Sequence, residues 1–315
     1  MRYQATGYVI EQDPVLVTGA RPVKMAVLTV DKARYSDVKR ARDICLLAVI
    51  LEERFQLVLD NYTEWECELL NQAQAHLLWQ TFRYDSMQQR LALDRRLTNV
   101  LTGFRLYLDQ TDNNVSEIFG NPSQELEGIK KSKGEMYDSY FGYRFLEVLR
   151  NHVQHCALPV EIISFHSGLV DQDLNGNVQF SVIPRTTLDN LAANKDFKKS
   201  ILDEIKALGG QIDLRLPIRE YVSCLVKLHQ EVRKVFSKII IESREFYSKA
   251  VEEYSTIGGQ VVQHPRLECC KDSGEVDERV ELIINFLNRY DILHRQNSQA
   301  RNISKSFVSN FIKPN

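Results

Sequence analysis

The stretch 135-EMYDSYFGYRFLEVLRNHVQHCALP-159 carries the clearest pattern in the chain. Its apolar residues recur at spacings of three and four, which places them on one face of an amphipathic helix. That helix should end by about Ala157, because Pro159 disfavours helical geometry in the residue before it. Just before this end, the sequence crowds together a guanidinium, an amide and two imidazoles: Arg150, Asn151, His152 and His155. This polar cluster is the strongest chemical signal in the sequence.

The overall composition is that of a globular protein. The chain has 315 residues, 43% hydrophobic and 26% charged, which is enough for one large domain or two ordinary ones. A net charge of −2 excludes the overall positive charge that is typical of strong non-specific nucleic-acid binders. We find no apolar run of membrane-spanning length, no secretory signal and no C-x-x-C pair. These features predict a cytoplasmic protein with reduced cysteines, no membrane association, no cofactor and no metal.

The pattern along the chain predicts a mainly α fold. We expect a bundle of long helices with a small β-rich N-terminal segment and a β-hairpin insertion. The predicted parts are a β-rich segment at 1–35, a helical bundle with the polar cluster at 36–159, a hairpin insertion at 160–186, and a C-terminal helical part at 187–315 that completes the bundle.

Local signals predict several helix ends in the first half of the chain. The sequence Thr63-Glu64-Trp65-Glu66 has the form of a capping box and should open a new helix. The polar stretch 110–114 should be a loop. Asn121 and Pro122 should start the helix that carries the polar cluster, as N-cap and first helical residue.

The second half of the chain carries a hairpin signal and a long helical pattern. Asn175-Gly176 lies between two β-prone runs, which is typical of a tight hairpin turn. Pro217 should begin the longest helix, extending to about Thr256, and another helix should follow near Val276–His294.

The spacing within the polar cluster matches a known family pattern. Arg150 and His155 have four residues between them, and the polar Asn151 follows the arginine at the end of a long helix. This arrangement resembles the HEPN superfamily, whose all-helical domains carry an arginine and a histidine separated by four to six residues. A second match, Arg289 to His294, has tyrosine after the arginine, and we interpret it as a solvated helix end.

The resemblance implies a metal-independent endoribonuclease that works as a homodimer. It implies a toxin or antiviral defence effector, held by an antitoxin or another protein partner. His155 would be the acid or base in 2′-hydroxyl attack, because histidine titrates near neutral pH. Arg150 would clamp the phosphate, and Asn151 would orient the substrate or the histidine. Further contacts to RNA would come from one histidine and three lysines: His152, Lys130, Lys131 and Lys133.

Two other interpretations of the same residues stay open. Cationic side chains stabilise the carbonyl end of a helix, so the polar cluster can be structural, with Glu147 as a surface partner of Arg150. Alternatively, the chain is a non-catalytic helical protein that uses the long helix at 217–256 for dimerisation or for a partner.

Overall fold

The computed structural model describes residues 1–9, 24–79, 86–169, 177–306 and 308. It divides into two compact units. The first unit combines Met1–Glu53 with Lys234–Gln296, and the second combines Arg54–Arg233 with Asn297–Asn315.

The described residues form eight α-helices and eight β-strands. The helices are α1 (Lys32–Trp79), α2 (Ser86–Phe119), α3 (Gln124–Ser139), α4 (Phe141–His155), α5 (Leu188–Ala192), α6 (Lys199–Ala207), α7 (Arg215–Tyr254) and α8 (Asn285–Asn297). The strands are β1 (Arg2–Val9), β2 (Lys24–Thr29), β3 (Ile162–Leu169), β4 (Val178–Thr187), β5 (Gln211–Asp213), β6 (Thr256–Ile257), β7 (Gln260–Cys270) and β8 (Val276–Glu281).

An antiparallel sheet organises the first unit. Its strand order is β2-β1-β7-β6. Strand β8 also pairs with β7, on the edge opposite β1. The sheet curls into a half-barrel. Apolar side chains of the strands and of helices within the same unit bury one another in a shared core, among them Ala5, Val38, Tyr247, Leu267 and Val280.

The predicted fold class is wrong, because strands are a structural layer here and not an embellishment. The chain is 65% helical and 19% strand, with a curled sheet in one unit and a second sheet in the other. The N-terminal strand β1 pairs along its length with β7, with Arg2 opposite Cys270. Residues 276–281, which we expected to be helical, form β8 on the other side of β7.

Two predicted helix boundaries do not exist. Helix α1 continues through the capping box, since the Thr63 hydroxyl donates to the carbonyl of Leu59 at 2.8 Å inside the same helix. Helix α2 likewise continues through the polar stretch 110–114, where Thr111 and Asn114 are buried. In both places a polar sequence lies within a helix that is held by its buried face.

The stretch that carries the polar cluster forms two helices. Ser123, and not Asn121, caps α3, with its side chain accepting from the backbone N–H of Leu126 at 3.2 Å. Tyr140 is extended and separates α3 from α4. The predicted helix end is confirmed, because α4 stops at His155, two residues before Ala157.

The hairpin and the long helix are confirmed. Strands β3 and β4 pair antiparallel from Ile162 opposite Arg185 to Leu169 opposite Val178, and β5 extends this sheet. The predicted turn at Asn175-Gly176 lies outside the described residues. Helix α7 has 40 residues, a length of about 60 Å. Every helix among the described residues is too short or too polar to cross a membrane.

Candidate functional site

The buried face of α4 determines which polar residues reach the surface. Tyr143, Phe145, Leu146 and Leu149 are buried on this helix, and α4 packs on α2 and α3. The buried stripe continues to His152 and not to the apolar Val153, which is only partly buried. Consequently the opposite face presents Asn151, Gln154 and His155 to solvent, with Arg150 partly covered at its border.

Arg150, Asn151 and His155 follow one another along this exposed face, which we call the α4 strip. Arg150 Nη1 donates to Asn151 Oδ1 at 3.0 Å, and this bond draws the guanidinium toward Asn151. Asn151 precedes His155 by four residues, so their side chains are neighbours on the helix surface. Arg150 Nε is buried and has no hydrogen-bond partner among the described residues. The α4 strip therefore places a guanidinium, an amide and an imidazole in sequence.

His152 points into the protein and not along the α4 strip. Its side chain is 1% exposed, packs edge-on against Phe197 and has Nδ1 3.3 Å from Asn194 Nδ2. Burial lowers the pKa of the His152 imidazole, which favours the neutral ring. Its Nε2 has no partner among the described residues. His152 belongs to the packing of the second unit, so we leave it out of the substrate contacts.

The three predicted lysines have different surroundings on α3. Lys130 and Lys131 are exposed, and Lys131 lies 3.8 Å from Glu135 in a solvated pair that contributes little energy. Lys133 is partly buried and donates to both carboxylate oxygens of Asp112, at 2.7 and 2.5 Å. Only Lys130 and Lys131 are therefore available to an RNA backbone.

A polar cleft between α2, α3 and α4 was not predicted. It encloses about 320 Å³, and its charged lining residues are Arg105, Asp109, Asp112, Lys133 and Glu147. Arg105 binds Asp109 at 2.8 Å and lies 3.6 Å from Glu147. Glu147 also accepts a hydrogen bond from the Tyr221 hydroxyl.

Glu147 therefore turns away from Arg150, and the surface pair that we considered between them does not form. Burial raises the pKa of Tyr221, which keeps its hydroxyl protonated as the donor to Glu147. The sequence holds one signal for this cleft. Glu147 follows the buried Tyr143 by four residues, so its carboxylate lies on the same side of α4 as the buried face.

The second arginine–histidine match lies on α8 in the first unit. Arg289 Nε is 3.4 Å from Glu53, and the His294 ring lies 5.4 Å from the Tyr290 ring. The neighbouring Asp291 holds Arg244 through two bonds of 2.6 Å. These contacts agree with our interpretation of this match as a helix surface with ordinary pairs.

Among the described residues, no group of three or more histidine, cysteine, aspartate or glutamate side chains is arranged to hold a metal ion. Comparisons with known proteins add no relative, since no family model, no curated protein and no solved structure matches the chain. The likeness of the α4 strip to the HEPN pattern stays a prediction from its residues.

Proposed function

We propose that the chain is a HEPN-like, metal-independent endoribonuclease that acts through the α4 strip. The observation that carries this proposal is the bond from Arg150 to Asn151, one helical turn before the exposed His155. It gathers a phosphate-binding group and a proton-transfer group on one solvent-facing surface. Cleavage of RNA needs both of these groups, and they are the two that define the HEPN pattern.

Each residue of the α4 strip has a role in this reaction. His155 takes the proton from a ribose 2′-hydroxyl, and the resulting oxygen attacks the adjacent phosphorus. The bond from phosphorus to the 5′-oxygen breaks, which leaves a 2′,3′-cyclic phosphate and a 5′-hydroxyl that acquires a proton. Arg150 donates to the phosphate oxygens as charge develops on them, while Asn151 fixes the guanidinium.

A homodimer follows from the need for two proton-transfer groups. The reaction takes a proton from the 2′-hydroxyl and gives one to the leaving oxygen, whereas the α4 strip has a single histidine. A second copy of α4 facing the first supplies the other imidazole.

Lys130 and Lys131, exposed on α3, contact flanking phosphates through charge alone. The proposed biological role is a cytoplasmic toxin or defence effector that a protein partner restrains.

A non-catalytic interaction protein is the second candidate. It is favoured by exposed apolar side chains at the end of α1 and the start of α2, namely Leu77, Leu78 and Leu91. Contiguous exposed apolar patches are typical of protein–protein contacts, and in this candidate these three side chains would form one. This candidate predicts self-association or partner binding without RNA cleavage.

The test compares purified wild-type protein with His155→Ala on RNA in the presence of EDTA. We expect the wild type to release cyclic-phosphate ends and His155→Ala to be slower by about 10²- to 10⁴-fold. Arg150→Lys keeps the charge but loses the planar fork, so it should also be slower. His166→Ala replaces another exposed histidine, on β3, and should cut like the wild type.

Two results would contradict the proposal. One is equal cleavage by the wild type and His155→Ala, and the other is cleavage that disappears when EDTA is added. A DNA strand of the same sequence should remain intact, because it lacks the attacking 2′-hydroxyl.

A further inference from the structure

The polar cleft between α2, α3 and α4 carries more negative than positive charge. Two cations line it, Arg105 and Lys133, and three carboxylates line it, Asp109, Asp112 and Glu147. The described lining therefore has a net charge of −1 at neutral pH. The enclosed volume of about 320 Å³ is at the lower end of the range of small-molecule sites, about 300–1,000 Å³.

Two of the three carboxylates already have a cation as their partner. Arg105 binds Asp109 side-on, through Nε at 3.0 Å and Nη2 at 2.8 Å. Lys133 donates to both carboxylate oxygens of Asp112, at 2.7 and 2.5 Å. Because each cation is already bound to a carboxylate, the cleft is poorly suited to an anionic ligand.

Glu147 is the carboxylate that remains. Its Oε1 accepts from the Tyr221 hydroxyl, which is a neutral donor. Its Oε2 lies 3.6 Å from Arg105 Nη1, a distance beyond that of a hydrogen bond. The surplus negative charge of the cleft therefore resides at Glu147, and the lone pairs of Oε2 can accept from a ligand.

The Tyr143 hydroxyl is a second acceptor in the cleft. Tyr143 is 4% exposed, and its ring packs edge-on against Phe104 and Tyr221. It lines the cleft, and its hydroxyl has no hydrogen-bond partner among the described residues. Buried polar groups in folded proteins are normally hydrogen-bonded, so this hydroxyl is suited to a ligand that donates to it. Glu147 follows Tyr143 by four residues on α4, which makes the two acceptors neighbours.

A primary ammonium group matches these acceptors. It carries one positive charge, which balances the net charge of the cleft, and its three N–H donors can serve both Glu147 Oε2 and the Tyr143 hydroxyl. A metal ion matches less well, since the described residues contain no group of three or more histidine, cysteine, aspartate or glutamate side chains arranged to hold one. Leu108 also lines the cleft and offers an apolar surface to a short alkyl chain.

We propose that the polar cleft binds a small primary alkylammonium ion. The nitrogen of this ion donates to Glu147 Oε2 and to the Tyr143 hydroxyl, while its alkyl chain lies against Leu108. Recognition then depends on N–H donors as well as on charge. The site is separate from the α4 strip, whose residues lie on the solvent-facing side of α4.

Calorimetric titration of the intact protein at low ionic strength tests the proposal with three probes that share a butyl-sized chain. We expect n-butylammonium to bind with one molecule per chain. The probe n-butyltrimethylammonium has the same charge but no N–H donor, so it should bind at least about ten-fold more weakly, and the anion butyrate should bind more weakly still. Tyr143→Phe should weaken n-butylammonium binding by about ten-fold, a loss typical of one charge-assisted hydrogen bond. Glu147→Gln keeps an acceptor for Tyr221 but loses the charge, and it should weaken binding at least as much.

The controls separate loss of the site from unfolding. Tyr143→Phe keeps the packed ring, so its circular dichroism and melting temperature should match those of the wild type. Tyr140→Phe is the matched control, because the Tyr140 hydroxyl lies 2.6 Å from Lys227 Nζ and Tyr140 is not among the described residues that line the cleft. This variant should bind n-butylammonium like the wild type. No n-butylammonium binding at millimolar concentration, equal binding of n-butyltrimethylammonium, or unchanged affinity in Tyr143→Phe would each overturn the proposal.

Discussion

Asp94 is a buried carboxylate that holds the chain shortly after α4. It is 1% exposed, and its Oδ1 accepts from the backbone N–H of Val160 at 2.8 Å. Its Oδ2 is buried and has no partner among the described residues. Burial raises the pKa of Asp94 to about 6, while the bond from Val160 opposes the shift. The folded protein therefore favours the neutral acid form of Asp94 over the charged carboxylate.

We predict that Asp94→Asn increases stability at neutral pH. A folded-state pKa above the unfolded value stabilises the fold at low pH, and that stabilisation is lost as pH rises from about 4 to about 6. The full effect corresponds to roughly 3 kcal/mol. Asparagine keeps an acceptor for Val160 and carries no charge, so its advantage in free energy of unfolding should grow across this pH range.

Urea unfolding between pH 4 and pH 7.5 measures this difference. Asp60→Asn, which replaces an exposed aspartate on α1, serves as the control and should run parallel to the wild type. A pH-independent difference between Asp94→Asn and the wild type would show that the buried charge is not its cause.

At the residue scale, the sequence grouped His152 with the substrate contacts, whereas the structure buries its side chain. The apolar periodicity pointed to Val153 as the next buried position after Leu149, because residue type was given more weight than spacing. The buried positions are in fact Leu149 and His152, three residues apart. A histidine can occupy a buried position when one ring nitrogen has a partner, and Asn194 supplies it. That partner lies beyond α5 and cannot be seen locally.

Among the elements, α4 depends on a close approach to α7 at Gly142. A Cβ atom at this position would lie 2.6 Å from the carbonyl oxygen of Pro217 and 2.9 Å from its Cα. The Gly142 N–H also donates to Glu220 on α7. Only glycine lets the two helices approach so closely, since the contact is with backbone.

We predict that Gly142→Ala destabilises the second unit by about 1–3 kcal/mol, because backbone must move to admit the methyl group. Gly128→Ala is the matched control on α3, where a Cβ would meet nothing within 4 Å. It should be neutral or stabilise the fold by up to about 1 kcal/mol, since alanine favours helix. Thermal unfolding of both variants checks the prediction, and equal melting temperatures would contradict it.

Helices with a continuous apolar stripe were predictable, and elements defined by distant pairing were not. The spacing after Pro217 predicted α7, because its buried face repeats over many turns. Val276 and Val280 are four residues apart, which fits one helix face as well as one strand face. Pairing with β7 decides between them, and that information lies outside the segment. The Thr63 capping box failed for a similar reason, since buried Trp65 and Leu69 continue the helix through it.

For the molecule as a whole, a buried charge network joins β1, at the start of the chain, to β7 and β8, more than 250 residues later. Glu268 on β7 is 2% exposed and binds Arg266 at 3.0 Å and Arg279 at 3.1 Å. Gln4 on β1 donates to the same carboxylate at 3.1 Å. One glutamate thus satisfies partners from β1, β7 and β8 within the first unit.

Glu268→Ala should lower the free energy of unfolding by about 3–5 kcal/mol, because it leaves Arg266 buried without its carboxylate partner. Glu275→Ala removes an exposed glutamate between β7 and β8 that forms a surface pair with Lys271, and it should leave the unfolding transition unchanged. Chemical denaturation monitored by circular dichroism compares the two variants. Similar losses in both would indicate that the network contributes no more than a surface pair.

The pairing of β1 with β7 also has a consequence for biosynthesis. Arg2 lies opposite Cys270, so β1 leaves the ribosome long before its partner is translated. At roughly 5–20 residues per second, that interval is on the order of ten seconds to one minute. A two-stranded hairpin is at best marginally stable alone, and its open edge can pair with other nascent chains. We expect the yield of native protein in the cell to depend on whatever shields this hairpin while translation continues.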